Sequence, residues 1–490
     1  MSAYRRRLSL LLLLLAALVL GLYPAAHEPI RLIQDGDRAA QQQRYSAALA
    51  AYADAAQHCP VCPQPRLRQA QIYLAQARYE EAWSAALAAV HAGGLSDPAA
   101  TTLARLHLAQ ESPAHAVPLL RGQLARRPHR GASWQLLGQA YLASGERALA
   151  LEAFETALSE GLSETERQVT HEQLALLSLE SEAPSGDEVT PAFAPAIAHL
   201  EAAALGPDPD RARQYAALAE ALRALAASVT PEESAQAHAQ LGHLFLERGD
   251  LLHAQAQLEA ALKLVPNYPD ARAYLGHVWS LRGEPAHAET HLQQAIALAP
   301  ENTLPRYFLG MHYLRRGWLE TGRDTLVAAY ELEPDNPALC AAVADSYLRG
   351  DAPRYEVAEQ WLLAAVANAP DDVRFYLLLA HLYVELGLDP GGRGVATAQA
   401  AVALAPENPE AYETLGWAYH LGGQAALAVE PLERALKLEG SARAHYRLGE
   451  VYRALGQVSQ ARAHLVAAVD LDWNGVIGEQ AGETLVELYR

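Results

Sequence analysis

At 490 residues the chain is longer than one ordinary core requires. It is half hydrophobic yet only 7% aromatic, a balance that suits many close helix contacts among alanines and leucines. Its 57 acidic against 38 basic residues leave a net charge of −19, which repels a phosphate backbone and argues against nucleic acid as a partner. The two lysines, Lys263 and Lys437, both stand in Ala-Leu-Lys-Leu and so offer no phosphate-binding Gly-Lys-Ser/Thr loop, and three cysteines are too few for a disulfide-built fold.

Arg5, Arg6 and Arg7 precede a leucine-rich run from Leu8 to Tyr23. A basic start followed by such a run predicts a signal-anchor or transmembrane segment over 1–28, with the arginines on the cytoplasmic side. Cleavage after Ala25 or Ala26 would put Tyr23 or Pro24 where a small residue is wanted. A single-pass inner-membrane protein is therefore expected, with everything after residue 28 outside the cytoplasm. A cleaved leader would make it secreted or periplasmic.

From there the chain repeats itself. Trp134, Leu137 and Tyr141 share one helical face around Gly138; beyond a turn at Gly145, Ala150, Phe154 and Ala157 share a second. The small residue at 138 recurs upstream at Gly36, Ala70 and Ala104 in steps of 34, and downstream at Gly242, Gly276, Gly310 and Ala344. Ala380, Gly416 and Gly449 follow at steps of 36, 36 and 33. A second column runs through Ala48, Ala82, Ala116, Ala254, Ala288, Ala358, Ala428 and Ala461, with Gly322 and Gly394 in the same place. A third runs through Ala55, Ala89, Ala157, Ala261, Ala295, Ala329, Ala365, Ala401, Ala435 and Ala468. Small residues let helix backbones approach, larger ones fill the space beside them, and prolines such as Pro266, Pro300 and Pro334 stop the second helix. One such hairpin cannot bury its apolar face alone; stacked neighbours can.

These columns resemble the tetratricopeptide repeat family, over residues 29–164 and 235–475. The resemblance implies an all-α, right-handed superhelical solenoid of helix-turn-helix units: four repeats over 29–164 and seven over 235–475. Residues 165–234 lose the columns and read as a degenerate helical spacer or hinge, with a loop at Ser181–Thr190 and a long amphipathic helix at Arg211–Ala227. Insertions at Gly350–Pro353 and near Pro390–Gly394 lengthen turns inside hairpins. Residues 476–490 read as a capping helix that lays Leu485, Leu488 and Tyr489 on the last hairpin.

Members of this family bind partners in a concave groove lined by the first helix of each hairpin. The groove-facing places carried onto this chain are His243, His277, Met311, Asp345, His381, Trp417 and Glu450. Neighbouring places add Glu247, Tyr307, Arg315, Arg349, Glu385, His420, Tyr446 and Arg453. The asparagines and lysines with which chaperone-binding members hold a carboxylate are missing, as is the asparagine ladder of sugar-transferring members. A groove of Arg, His, Tyr and Trp suits a peptide or protein ligand.

Two other constellations carry less. His287-Ala288-Glu289-Thr290-His291 has its histidines one turn apart, but alanine follows the first histidine where a zincin has its glutamate. Cys59-Pro60-Val61-Cys62 lies in a turn and reads as a local disulfide, two free thiols, a redox pair or half a metal site. Pro63 stands where haem attachment needs histidine. The expectation is a non-enzymatic scaffold without cofactor or metal, attached to the membrane by its N-terminal segment. The alternatives are a thiol-redox or cytochrome-maturation-like factor using Cys59 and Cys62, or an accessory subunit of an envelope glycosyltransferase or secretion complex.

Overall fold

The computed structural model describes residues 28–181 and 193–489, and among them the regular structure is helical, without a strand. The chain divides into two compact units, Met1–Gly161 with Leu432–Arg490, and Leu162–Pro431. The first unit begins with a helix over 28–41 paired with Tyr45–His58. The pairs Pro63–Ala75 with Tyr79–Gly93, Asp97–Ala109 with Pro113–Arg126, and Gly131–Ala143 with Arg147–Ser159 follow. To the same unit belong the pair Ala442–Ala454 with Val458–Leu471 and the final helix Val476–Tyr489. Ile477, Leu485 and Leu488 of that final helix pack on the cluster of Leu465, Ala468 and Ala481.

The second unit opens with three helices outside the repeat pattern, Glu164–Ser181, Ala194–Ala204 and Pro209–Ala227. The expected loop after Ser181 lies outside the described residues. Tyr215, Leu218, Leu222 and Leu225 of the third helix share one buried cluster with Leu241 and Phe245 of the next helix, Pro231–Glu247. The cluster continues through Leu258 to Val278, so the spacer is packed into the repeats that follow it. Hairpins then succeed one another from Pro231–Glu247 with Leu251–Leu264 through Pro409–Leu421.

Local chemistry accounts for these boundaries. Asn302, Asn336 and Asn408, two residues beyond their prolines, are N-caps whose side chains accept from the first free amides of the next helix. Thr230 and Glu233 form a reciprocal capping box at the start of Pro231–Glu247. The insertion at 350–353 lengthens the turn between Pro337–Leu348 and Tyr355–Asn368, whereas the one at Pro390–Gly394 is wound into a π-helical turn capped by Asp389.

The small-residue columns work by contact. A Cβ added to Gly242, Gly276 or Gly310 would lie 2.6 Å from the Cγ of Leu258, Leu292 or Leu326 on the partner helix. At Gly138 the filler is Phe154, at 2.7 Å. The alanines of the second and third columns are almost wholly buried. The third column has one polar intruder in its register: Gln123 is fully buried, and Thr101 donates to its Oε1.

The expectation of a single-pass inner-membrane protein is corrected here. Among the described residues no helix is long and apolar enough to cross a membrane. Of the segment 1–28 from which the anchor was read, residues 1–27 lie outside the described residues, and membrane attachment through it has no support.

Candidate functional site

In the second unit the first helices of successive hairpins place equivalent residues one repeat apart, and a continuous strip of side chains results. His243 lies 4.5 Å, ring to ring, from Tyr274, which in turn meets Phe308 at 5.7 Å. His277 stacks flat on Phe308 at 4.3 Å, and Tyr307 flanks that ring at 5.6 Å. Met311 and Tyr307 both pack against the buried cluster that holds Leu314 and Val343. Burial, helped by the nearby Arg315 guanidinium, pulls the His277 imidazole down to about 4, so it is neutral at ordinary pH.

The charged end of the strip has a defined architecture. Arg315 donates to the Ser280 hydroxyl at 2.5 Å, and that oxygen lies 2.7 Å from His312 Nδ1. His312 Nε2 faces Glu289 at 3.7 Å. Ser280 and His312 are buried, so this relay fixes Arg315 from below. Burial and the like charge of Arg349 both lower the Arg315 pKa, and among the described residues no carboxylate lies within ion-pair distance of it. Arg349, one repeat on, is paired with Asp345 at 2.7 Å. Tyr307 is pushed up by burial and by Asp345.

The remaining places separate into three groups. His243 approaches Glu247 at 3.6 Å. His381 and Glu385 are exposed at the end of Val373–Val384, and Trp417 stacks on His420 at 4.8 Å. Tyr446, Glu450 and Arg453 belong to the other unit and face its final helix. Glu450 is 9% exposed and bonded to Arg453 at 2.6 Å, Arg453 also approaches Glu487 at 3.8 Å, and Tyr446 packs on the same Leu465–Ala468–Ala481 cluster as Ile477 and Leu485.

Sequence reasoning passed over Tyr274, Phe308, Ser280 and His312, which complete the strip. The aromatic pair at 274 and 308 stands in the 34-residue register and was there to be found; the Ser280–His312 contact, between neighbouring hairpins, was not. It also passed over a cavity of about 440 Å³ on the corresponding face of the first unit, lined by Ile30, Ile33, Leu67, Arg68, Gln71 and Pro98.

Cys59 and Cys62 are joined in a disulfide across the turn into Pro63–Ala75, with Cys62 as that helix's N-cap. Cys340 is a buried thiol among Phe375, Ala365 and neighbours. His287 is exposed on the helix that buries Ala288. Among the described residues no three His, Cys, Asp or Glu side chains gather as metal ligands.

Stacked two-helix units with small-residue contacts and first-helix faces in register define a tandem helical-repeat protein. More particularly, the tetratricopeptide repeat family model matches residues 101–163, 239–303 and 423–476, and the chain contains repeats of that kind. No curated protein matches. Among solved structures, yeast Tom70 is 14% identical, over 87% of this chain and 95% of its own, with a TM-score of 0.44. The Cut9–Hcn1 hetero-tetramer of the APC/C is 16% identical over 96% and 92%, with a TM-score of 0.39. A tetratricopeptide repeat protein from Parabacteroides merdae is 19% identical over 53% and 100%, with a TM-score of 0.38. At such values these likenesses carry no inference about partners.

Proposed function

We propose that the protein is an interaction scaffold that holds an extended or helical peptide segment of a partner along the first-helix face of Leu162–Pro431. Repeats of this type generally mediate protein–protein interaction, and the observation that carries the reading here is the strip from His243 to Arg349. It offers stacked rings, the neutral His277 among them, followed by a guanidinium anchored by a hydroxyl instead of a carboxylate. Rings give contact area at small entropic cost, and Arg315 has capacity for a carboxylate on the ligand.

The test begins with peptides selected from a random display library on the whole protein. Their affinities are then measured by fluorescence anisotropy on Tyr307→Ala and Arg315→Ala variants. Each substitution is expected to weaken binding about tenfold or more, as loss of a ring contact or a charged hydrogen bond does. Peptides that bind both variants as tightly as the parent would remove the strip from the account.

A further inference from the structure

The repeats supply an internal control for one residue that departs from them. Two places beyond the third-column alanine stand Lys263, Ala297, Glu331, Ala367, Ala403 and Lys437, all exposed. In the last hairpin that place holds Asp470, which is 3% exposed. A carboxylate is costly to bury unless its oxygens are satisfied, so something specific covers this one.

What covers it is the first hairpin. Ser46, 424 residues earlier, donates its amide to both carboxylate oxygens at 3.1 Å and its hydroxyl to one of them. Ser46 stands in the first turn of Tyr45–His58, whose N-cap residue, Arg44, makes no side-chain capping bond. Asp470 thus supplies the missing cap from a remote hairpin and sets a negative charge at that helix's positive pole. Two contacts from the second hairpin join it. Gln76 Nε2 donates to the Asp470 carbonyl at 3.0 Å. The Arg78 guanidinium lies 4.5 Å from the Tyr73 ring centre and 4.2 Å from that of Trp473, within cation–π reach of both.

We propose that residues 470–473 are a clasp, a docking face whose partner is this chain's own first two hairpins, engaged within one molecule. A solenoid must cover the open faces of its terminal repeats. Here the sequence-remote hairpins cover each other, and the charged contacts make that pairing selective. The same faces, if free, would join copies head to tail, because the contact is heterologous and does not close by a twofold.

A cross-linking trap tests this without touching the clasp residues. A Cβ built at Gly440 meets only the Gln43 side chain, whose Oε1 is 3.5 Å away, so Gln43→Cys with Gly440→Cys places two thiols on opposite sides of the seam, within the span of a flexible bis-maleimide. The native thiols do not compete, because Cys59 and Cys62 are paired and Cys340 is buried. Treated with a flexible bis-maleimide, the full chain is expected to close the new cross-link as a monomer, seen on a denaturing gel and by intact mass. Adding Asp470→Ala should slow closure about tenfold, the equivalent of a charged hydrogen bond, and separately Arg78→Ala about threefold, the equivalent of a cation–π contact, with helical circular dichroism retained. Cross-linked dimers in place of the monomer would overturn the proposal. So would failure to close, or closure at an unchanged rate in both clasp variants.

Discussion

The hairpins of residues 28–161 and those of 231–431 make the same turn with different residues. In the first region the tight turn between paired helices puts Gln43, Ala77 and Glu111 at φ of 57°, 54° and 54°, and only the fourth turn uses glycine, Gly145. In the second the equivalent left-handed places are glycines, among them Gly249, Gly283 and Gly317. A side chain held there costs on the order of 1 kcal/mol. The turn is therefore imposed by helix packing and merely eased by glycine. The packing columns differ in the same way. Gly242, Gly276 and Gly310 each face a leucine, whereas in the first region Gly36 faces Tyr52 and Gly138 faces Phe154, while Ala70 shares its cluster with Ala86. What the fold preserves is the helix spacing, and each pair reaches it with its own division of volume.

The most damaging way to break the comparison is to overfill the regular column. Gly276→Leu should cost ~3 kcal/mol or more, because its Cβ already meets Leu292 at 2.6 Å and backbone closes the other side. Chemical denaturation would show it, and an unshifted midpoint would deny the packing role. Next in size is a pH effect confined to the second unit. Between the ordinary imidazole value of 6.5 and about 4, an unfolded chain takes up a proton that folded His277 refuses. The stabilisation from keeping this ring neutral is complete above that window and is lost as pH falls through it. His277→Phe, which keeps a ring on Phe308, should flatten the slope of the denaturation midpoint between pH 7 and 4.5. The smallest effects come from exchanging the turns. Gly283→Ala should destabilise by about 1 kcal/mol, whereas Ala77→Gly should stabilise by about 0.5 kcal/mol. Equal effects of one sign in calorimetry would mean that the two regions do not differ as described.

The repeat was legible because its columns are steric. A residue that must sit against a leucine or a tyrosine on the next helix has to be small, and that constraint returns every 34 residues or so. The strip was half legible. Positions carried from the resemblance picked out His243, His277, Met311 and Asp345, but a strip needs every residue that borders it. Tyr274 and Phe308 lie on the preceding turn of the same helices and were passed over. Ser280 with His312 was hidden, since neither residue type marks a groove and their pairing depends on the distance between adjacent hairpins. Asp470 was invisible for a stronger reason: nothing in the sequence relates it to Ser46. Glu450 and Arg453 were chosen by register, yet a non-repeat helix, Val476–Tyr489, faces them. The leader was read from a basic start and an apolar run, and no described helix bears out a membrane span.

The central claim is that the working surface is the first-helix face of the second unit. Hydrogen–deuterium exchange of the whole protein, with and without a display-selected peptide, tests it most directly. The account predicts protection concentrated in Pro269–Leu281, Thr303–Arg315 and Pro337–Leu348, with their partner helices unchanged. Protection confined to Pro285–Leu298 and Leu319–Leu332, or to the turn holding Cys59 and Cys62, would contradict it.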